Sequence, residues 1–501
     1  MRENRGSNAV TRGGGWRLLA LAALVSVPAT AFASAPGAGE CPYPVWSVIP
    51  FVGMLLSIAL GPLINAHWWE HNIGKVSFFW AMLFALPAVA LVGAGETLYE
   101  LLHITIIDYI PFLVLLEALF IIVGGIAIDG VLPHTPFSNT LLLLIGAVLA
   151  SFVGTTGATI LMIRPLIKAN RERRNIVHTM VFLIFLVSNI GGALTPVGDP
   201  PLFIGYLHGV PFFWTTLHVI FPWLTSVVLL LAIYYGVDYY YYQRYLKDVA
   251  SGVLPPPTVE TGVPRGKIRI SGLLNLVFLA GTLGAIVLSG MYAAHPAFFD
   301  AAAKTVKGVT VMSLHGHDLV MPYINIARDG FILLMALLSW VFTSKSVRVA
   351  NNFTWGPMNE VAILFAGIFS TIIPALKLLQ ARGGELGVTS PAQFFWAAGA
   401  LSSFLDNTPT YLAFLSLAGQ MGSTTGVVTD LGQVNERILM AISCGAVFMG
   451  ANTYIGNAPN FMAKAIAEEN GIKMPSFFGY MGWSVAILIP VFILLTFLFF
   501  R

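Results

Sequence analysis

Apolar runs of about 20 residues recur along the chain from residue 46 to residue 499. A helical run of this length crosses a bilayer core of ~30 Å. Inside lipid, backbone polar groups must find partners within the protein, which restricts spanning structures to helices and closed barrels. Only 10% of the 501 residues are charged, against roughly 25% in an average soluble domain. The sequence therefore predicts an all-α polytopic membrane protein.

Ten candidate spans and two shorter paired segments follow the N-terminal region. The spans are predicted at 46–66, 76–95, 109–129, 177–205, 211–235, 270–291, 328–343, 356–376, 437–466 and 477–499. The paired segments, 140–166 and 393–420, are interrupted by "GTTG" at 154–157 and "DNTP" at 406–409. Their limbs of ~12 residues are too short to cross a bilayer at 1.5 Å per residue. Each paired segment is therefore predicted to be a re-entrant hairpin whose tip reaches mid-membrane.

Residues 1–35 have two interpretations. Four arginines precede an apolar run that contains "AFA" at 31–33, a pattern typical of a cleaved signal peptide. The same run is nearly long enough to remain as a first transmembrane helix, which would raise the total from ten to eleven. Both interpretations leave the arginines in the cytoplasm.

Basic residues set the predicted orientation, because cytoplasmic loops carry an excess of Lys and Arg. Basic clusters occur at 164–174, in a segment at 239–269 that is predicted to be a cytoplasmic linker, and at 345–348. Assigning these basic clusters to the cytoplasm places hairpin 140–166 on the cytoplasmic side and hairpin 393–420 on the outer side. The stretch 292–327 is then an outer loop.

The two halves of the chain repeat each other. "GGALTPVGDPPLF" at 191–203 matches "MGANTYIGNAPNF" at 449–461 with an offset of 258, and Asp199 faces Asn457 in this alignment. "SFVGTT" at 151–156 matches "SFLDNT" at 403–408 with an offset of 252. The repeats are predicted at 46–238 and 270–501, each with five spans, one hairpin and one discontinuous helix. Five is an odd number, so the second repeat is predicted to be inverted in the membrane.

Breaking a helix at mid-membrane leaves free carbonyls at one half-helix and free N–H groups at the other. Carbonyls together with hydroxyl and amide oxygens suit Na⁺, whereas the N–H ends suit an anion. The neutral residues of the breaks and hairpin tips are therefore candidate cation ligands: Thr155, Thr156, Asn189, Thr195, Ser403, Asn407, Thr408, Asn452, Thr453, Asn457 and Asn460.

The carboxylates in the sequence help to decide whether the site binds a cation or an anion. Asp199 and Asp406 lie in the breaks, while Glu117 and Glu360 lie inside predicted spans and are candidates for a proton relay. A charged residue at the bilayer centre costs at least about 2.5–3.5 kcal/mol and is normally functional. No lysine or arginine lies in the middle of a predicted span, so the acids favour a cation. A buried carboxylate holds a proton more readily than one in water, which lets H⁺ and a metal ion compete for it.

The same residues also have structural interpretations. Asp406 and Asn407 could cap the return limb of their hairpin. Asp199 could stabilise a turn before Pro200. Glu117 and Glu360 could hydrogen-bond to neighbouring broken helices.

"SNIGGALTPVGDPPLFIGYLHGVPFFW" and "SFLDNTPTYLAF" resemble segments of the ion transporter superfamily, in the branch of NhaD-type sodium/proton antiporters, ArsB-type arsenite permeases and citrate transporters. The resemblance covers residues 46–500. It implies two inverted repeats, each with a hairpin and a broken helix. It also implies a homodimer in which a transport part moves against a scaffold.

The resemblance leaves the substrate open. Sodium-coupled dicarboxylate members carry Ser-Asn-Thr at the hairpin tips, where this chain has Gly-Thr-Thr at 154–156 and Asp-Asn-Thr at 406–408. The added aspartate favours a Na⁺ (or Li⁺)/H⁺ antiporter of the bacterial inner membrane, with Asp406 and Asp199 as the exchange carboxylates. A citrate or dicarboxylate transporter and an arsenite permease are the alternatives within the superfamily.

No phosphate-binding loop, metal-protease motif or large soluble domain is evident, so neither a cofactor nor an enzyme activity is predicted. The basic residues lie in short loops between apolar runs, which does not indicate nucleic-acid binding. The rival from another class is an intramembrane enzyme or a membrane scaffold that transports nothing.

Overall fold

The computed structural model describes residues 41–129, 133–253, 269–300, 305–314, 317–351 and 353–501. The predicted signal peptide or first helix at 1–35 lies outside these residues, as do residues 254–268 of the predicted linker. Ten helical segments within the described residues are long and apolar enough to cross a membrane. The prediction of an all-α polytopic membrane protein is therefore confirmed.

The helices of the first half surround a broken central one. Their bounds are α1 Ile49–Val92, α2 Ala94–Ile104, α3 Ile110–Val123, α4 Pro136–Val153, α5 Thr155–Ala169, α6 Val177–Leu186, α7 Pro200–Leu207 and α8 Trp214–Ala250. Helix α1 contains two spans joined at Asn65, whose φ of −157° is not helical.

The helices of the second half follow a similar order. Their bounds are α9 Leu274–Tyr292, α10 Tyr323–Phe342, α11 Lys345–Ala350, α12 Gly356–Arg382, α13 Pro391–Ser402, α14 Asn407–Gly419, α15 Glu436–Met449, α16 Ala458–Glu469 and α17 Phe477–Phe499.

The described strands form four antiparallel two-stranded ribbons. Their bounds are β1 Ala127–Asp129, β2 Arg269–Ser271, β3 Phe299–Asp300, β4 Thr305–Val306, β5 Gly308–Leu314, β6 His317–Pro322, β7 Val427–Thr429 and β8 Gly432–Val434. Two ribbons, β3–β4 and β5–β6, occupy the predicted outer loop 292–327. Ribbon β1–β2 joins the end of the third span to the start of the second half.

Several predicted bounds were wrong. The third span begins at Ala94 rather than 109, because a π-helical turn at Thr105–Tyr109 joins α2 to α3. The seventh predicted span begins at Tyr323 rather than 328. Helix α8 continues to Ala250, so the first part of the predicted linker 239–269 is helical.

The first hairpin also differs from its prediction of two ~12-residue limbs. Helix α4 has 18 residues, about 27 Å at 1.5 Å per residue, and α5 has 15. Helix α4 starts early because Pro136 stands at its first turn and Thr135 caps it by accepting from Ser138 N. The limbs of the second hairpin, α13 and α14, have 12 and 13 residues, as predicted.

The core lies around the first broken helix. In the span Val177–Leu194, 94% of the residues are buried, against 17–50% in the other nine spans of the described residues. A helix that is apolar all round and shielded on every side is a central helix. The break that follows it is therefore placed in the middle of the protein.

Candidate functional site

The two matching sequence segments have the same backbone design. Helix α6 gives way to a 3-10 turn at Ile190–Leu194 and then to extended Thr195, before α7 starts at Pro200. Helix α15 gives way to a 3-10 turn at Gly450–Asn452 and then to extended Thr453, before α16 starts. Both predicted discontinuous helices are present, and each restarts with a proline in its first turn.

Contacts within the two breaks match as well. Thr195 Oγ1 donates to Ser151 O, and Thr453 Oγ1 donates to Ser403 O. Both threonines therefore use their hydroxyl protons on a hairpin carbonyl. The breaks also bring pairs of glycines together: a Cβ at Gly198 would lie 2.1 Å from Gly192 O, and one at Gly456 would lie 2.5 Å from Gly450 O. Only glycine allows this backbone approach.

Asp199 stands at the N-cap position of helix α7 without a side-chain capping bond, and it is fully buried. Its Oδ1 accepts hydrogen bonds from Thr155 Oγ1 at 2.9 Å and from Asn457 Nδ2 at 3.3 Å. Its Oδ2 accepts one from Asn407 Nδ2 at 2.9 Å. Two of the three donors therefore come from the second half of the chain. No cationic side chain forms an ion pair with this carboxylate among the described residues.

The two hairpins supply equivalent donors to this carboxylate. Thr155 is the first residue of α5 and Asn407 is the first residue of α14, and the offset of 252 pairs these positions. Asn407 Oδ1 accepts in turn from Ser402 Oγ at 2.6 Å. This bond fixes the orientation of the amide, so that its N–H₂ group points toward Asp199.

An amide network connects the two broken helices to each other. Asn189 Nδ2 donates to Asn460 Oδ1 at 2.7 Å, and Asn457 Nδ2 lies 3.2 Å from Asn189 Oδ1. Asn460 Nδ2 donates to Gly450 O at 2.8 Å and to Thr453 O at 2.9 Å. Asn460 is the last of the polar candidates that the sequence places in the second break, three residues after Asn457 in "NAPN".

Asp406 caps helix α14 by accepting from Thr408 N at 3.0 Å. Unlike Asp199, it is only partly buried, and it lines a cavity of about 70 Å³. Thr155, Thr156 and Asn457 line the same cavity, and apolar side chains of α3 and α12, such as Phe120 and Phe365, complete the lining. Thr408 itself is buried beside the cavity rather than lining it.

Four helices begin at this cavity. Its lining includes Thr155, Pro200, Asp406 and Ala458, which stand at the starts of α5, α7, α14 and α16. Each helix start carries a partial positive charge. Acidic residues occupy the N-cap position of two of the four: Asp199 precedes α7 without a side-chain capping bond, and Asp406 caps α14. No Lys, Arg or His lines the cavity.

Comparison with known proteins identifies a transport family. The model of the CitMHS_2 family, described as "Putative citrate transport", matches residues 40–500. The chain belongs to this family. An uncharacterized transporter of Mycobacterium bovis and one of Mycobacterium tuberculosis are each 25% identical to it over 407 residues, which is 77% of this chain and 84% of each relative. Membership of a transporter family is thus confirmed, while the NhaD-type and ArsB-type branches stay predictions.

The remaining predicted residues of this CitMHS_2 member lie at or beyond the edge of the site. Asn452 Nδ2 donates to Ser403 Oγ at 2.9 Å, next to the second break. Glu117 is partly buried on α3 and Glu360 is exposed on α12, and neither lines the cavity. A relay through these two glutamates stays a prediction.

Two buried charged groups were not predicted from the sequence. Arg328 is buried in α10 and pairs with Asp329 Oδ1 at 2.7 Å, because this helix starts five residues before the predicted span. It stays outside the cavity lining. Arg328 lies in the second turn of α10, near the start of the span rather than in its middle.

The second group is a buried histidine beyond the end of α7, outside the ten candidate spans. His208 Nδ1 lies 2.9 Å from Asp430 Oδ1, and its Nε2 lies 3.3 Å from Asp108 Oδ1. Burial alone lowers the pKa of His208, but the two carboxylates outweigh burial and raise the pKa to about 10. This ion-paired histidine anchors the first broken helix to the β7–β8 ribbon.

Proposed function

We propose that the chain is a secondary transporter that exchanges Na⁺ or Li⁺ for H⁺ across a bacterial plasma membrane. The observation that carries the proposal is a cavity that is lined by Asp406 and by no cationic residue. A second carboxylate, Asp199, is hydrogen-bonded to Thr155 and Asn457 of its lining. Carboxylate, hydroxyl and amide oxygens at broken helices are the ligands that transporters use for Na⁺.

Charge balance supports exchange at one site. Each of the four helix starts contributes roughly +0.5 elementary charge, which together offset the two carboxylates. Adding one monovalent cation or one proton to such a site leaves a charge of about +1, and adding both leaves about +2 in a medium of low dielectric constant. Cation and proton binding therefore oppose each other, which is the requirement for antiport.

The two carboxylates are proposed to have different roles. Asp406 lines the cavity and is proposed to be the first group that binds the cation. Asp199 is held by donors from three different elements, α5, α14 and α16. A cation reaches its oxygens only when those donors turn away, so loading at Asp199 is coupled to relative movement of the hairpins and broken helices. Such movement is the alternating access proposed for inverted-repeat transporters.

Carriage of citrate or a similar carboxylate together with cations is the second candidate. Four helix starts on one cavity favour an anion, and the family description names citrate. The cavity of about 70 Å³ holds only a few water-sized groups, at ~10–15 Å³ each. Organic ligands occupy pockets of roughly 300–1,000 Å³. In the conformation described, the site therefore fits an ion better than a tricarboxylate.

The deciding experiment uses everted membrane vesicles with an imposed pH gradient. Na⁺, Li⁺, K⁺ and citrate are added in turn, and dissipation of the gradient is followed with a pH-sensitive dye. Wild type is compared with Asp406→Asn and with Asp318→Asn, an exposed aspartate of the outer β5–β6 ribbon that serves as the matched control. We expect dissipation by Na⁺ or Li⁺ in the wild type and the control, and a loss of at least about 100-fold in cation response for Asp406→Asn.

A response to citrate that requires Na⁺ or H⁺, without a response to the cation alone, would replace antiport with the second candidate. Retention of the cation response after Asp406→Asn and Asp199→Asn together would instead favour a protein in which these carboxylates are structural. The homodimer implied by the superfamily is part of the proposal and is tested by the mass of the purified protein in detergent.

A further inference from the structure

A second, larger cavity lies at the predicted cytoplasmic side, away from the broken helices. Its volume is about 800 Å³, and it is enclosed by the segment between α5 and α6, the C-terminal part of α8, and the segment between α16 and α17. A cavity of this size is within the range of organic ligand sites. It therefore has room for a molecule that the small cavity at Asp406 cannot hold.

The lining of this basic cavity is strongly positive. Five cationic side chains face one carboxylate, Asp248; they are Arg171, Arg173, Arg174, Arg244 and Lys473. Arg173 is matched by Asp238, whose Oδ1 lies 2.5 Å from its guanidinium. The other four cations form no ion pair with any described residue, since none of them is within 4.0 Å of a carboxylate oxygen. The cavity thus has an excess of positive charge that nothing in the described chain neutralises.

One wall of the cavity is rigid and prearranged. Asn170 and Arg173 line it and are buried, and Arg173 Nε has no hydrogen-bond partner. Asp238, itself fully buried, holds this wall by accepting from Arg173, from Asn139 Nδ2 at 3.0 Å and from His178 Nε2 at 2.7 Å. A buried network with several partners keeps a guanidinium in place without a ligand, which lowers the entropic cost of binding.

Arginine forks recognise phosphate oxygens through paired N–H donors. Basic pockets between helices on the cytoplasmic side are also where anionic headgroups bind membrane proteins. Tyr241, which lines the same cavity, supplies an aromatic face of the kind found at the membrane interface.

We propose that the basic cavity binds a phosphate-bearing anion from the cytoplasmic side. The anion is either the phosphodiester headgroup of an anionic lipid or a soluble phosphate compound. When bound, it bridges Arg174, Arg244 and Lys473, which belong to three separate segments of the chain. It therefore ties the return limb of the first hairpin to α8 and to the end of the second broken helix.

The test measures binding on the purified full-length protein. Native mass spectrometry follows retention of phosphatidylglycerol against phosphatidylcholine, and thermophoresis follows inorganic pyrophosphate in detergent without anionic lipid. The variant is Arg174→Gln with Arg244→Gln, both exposed in the free cavity. We expect it to weaken binding roughly 30-fold, from about fivefold per removed charge. Arg174→Lys with Arg244→Lys keeps both charges and should restore most of the binding, which separates charge from fold.

The matched control is Lys247→Gln with Lys345→Gln. It also removes two exposed positive charges, one of them from α8, but neither residue lines the cavity. Preference for phosphatidylglycerol alone would identify the lipid as the ligand, and binding of pyrophosphate would identify a soluble phosphate. Absence of both, or equal losses in the variant and the control, would overturn the proposal. Because transport is not measured, the result is independent of the proposed ion exchange.

Discussion

The first and second broken helices share a backbone but not a charge pattern. Both pass through a 3-10 turn, an extended threonine bonded to a hairpin carbonyl, and a close pair of glycines. The first carries Asp199, which only accepts hydrogen bonds, where the second carries Asn457, which donates to it. In the hairpins the order is reversed, because the first tip has neutral Gly154 and the second has Asp406.

Each half therefore contributes one carboxylate, but from a different element. Because the backbones match, both halves contain the same kind of break in a helix. Because the side chains differ, neither half can build the site alone. The ends of the broken helices differ too. His208, just after the first, is ion-paired, whereas the residue at the same offset in the second is apolar Ile466, which is still inside α16.

Placing a carboxylate in the second break, as in the first, should reduce stability more than the other substitutions described below. In Asn457→Asp, a second carboxylate replaces an amide nitrogen that lies 3.3 Å from Asp199 Oδ1. We expect the free energy of unfolding to fall by about 3–5 kcal/mol, because a donor becomes an uncompensated buried charge. Thermal unfolding in detergent measures this. The swap Asp199→Asn with Asn457→Asp keeps one carboxylate and should recover part of the loss; a single variant as stable as wild type would contradict the geometry of the pair.

Alanine substitutions at Gly198 and Gly456 test whether the backbone is packed equally closely in the two breaks. We expect Gly198→Ala and Gly456→Ala each to cost about 1–3 kcal/mol, since backbone oxygens cannot move aside as side chains do. Gly198 should be worse, because its Cβ would lie 2.1 Å from a carbonyl oxygen rather than 2.5 Å. Gly236→Ala is the control: it lies inside α8 in open space and should be neutral or slightly stabilising. The reverse ranking would show that the second break is the tighter one.

Removing the anchor of the first broken helix should have a pH-dependent effect. The pKa of His208 is raised to about 10 in the folded protein, above its ordinary value of ~6.5. Its contribution is therefore fully present below pH ~6.5 and is lost as the pH rises toward 10. His208→Gln should destabilise by about 3 kcal/mol at pH 6 and by little at pH 10. His295→Gln, in the outer loop, is the control, and a difference that does not vary with pH would refute the ion pairs.

Removing a single hydrogen-bond donor to Asp199 is expected to have the smallest effect of these substitutions. Thr155→Val keeps the shape of the side chain and removes the bond to Oδ1, which is expected to weaken cation-dependent transport about 10-fold. Thr156→Val removes a neighbouring hydroxyl of the cavity that does not contact Asp199, so it should have the smaller effect. Apparent affinity for Na⁺ in vesicles measures both; equal effects would mean that the bond to Asp199 has no special role.

The sequence predicted features that arise from local chemistry. Proline, glycine and polar residues inside apolar runs identified both broken helices, and the offset of 258 paired Asp199 with Asn457, which the structure brings into contact. Hydropathy also identified the class of protein. The start of α4 had a local signal in Thr135 and Pro136 that a window of apolar residues passes over.

Other features depend on packing and have no local signal. Asn189 meets Asn460 across 271 residues, and His208 meets Asp430 across 222. Whether an arginine such as Arg328 belongs to a loop or to a buried helix is decided by the neighbours that cover it. A hydropathy profile places the boundary of the span at Arg328, because the residue is charged. In the structure, Arg328 is inside the helix and is paired with Asp329.

The division of the Asp199 site between the two halves has a consequence for biosynthesis. Asn407 and Asn457 follow Asp199 by 208 and 258 residues, so ribosomes adding ~5–20 residues per second deliver them roughly 10–50 s later. Until then the carboxylate has only Thr155 as a partner, and enclosing it in lipid would cost about 3 kcal/mol. The first broken helix is therefore expected to stay hydrated during translation, and closure around Asp199 becomes a late step of assembly in the membrane.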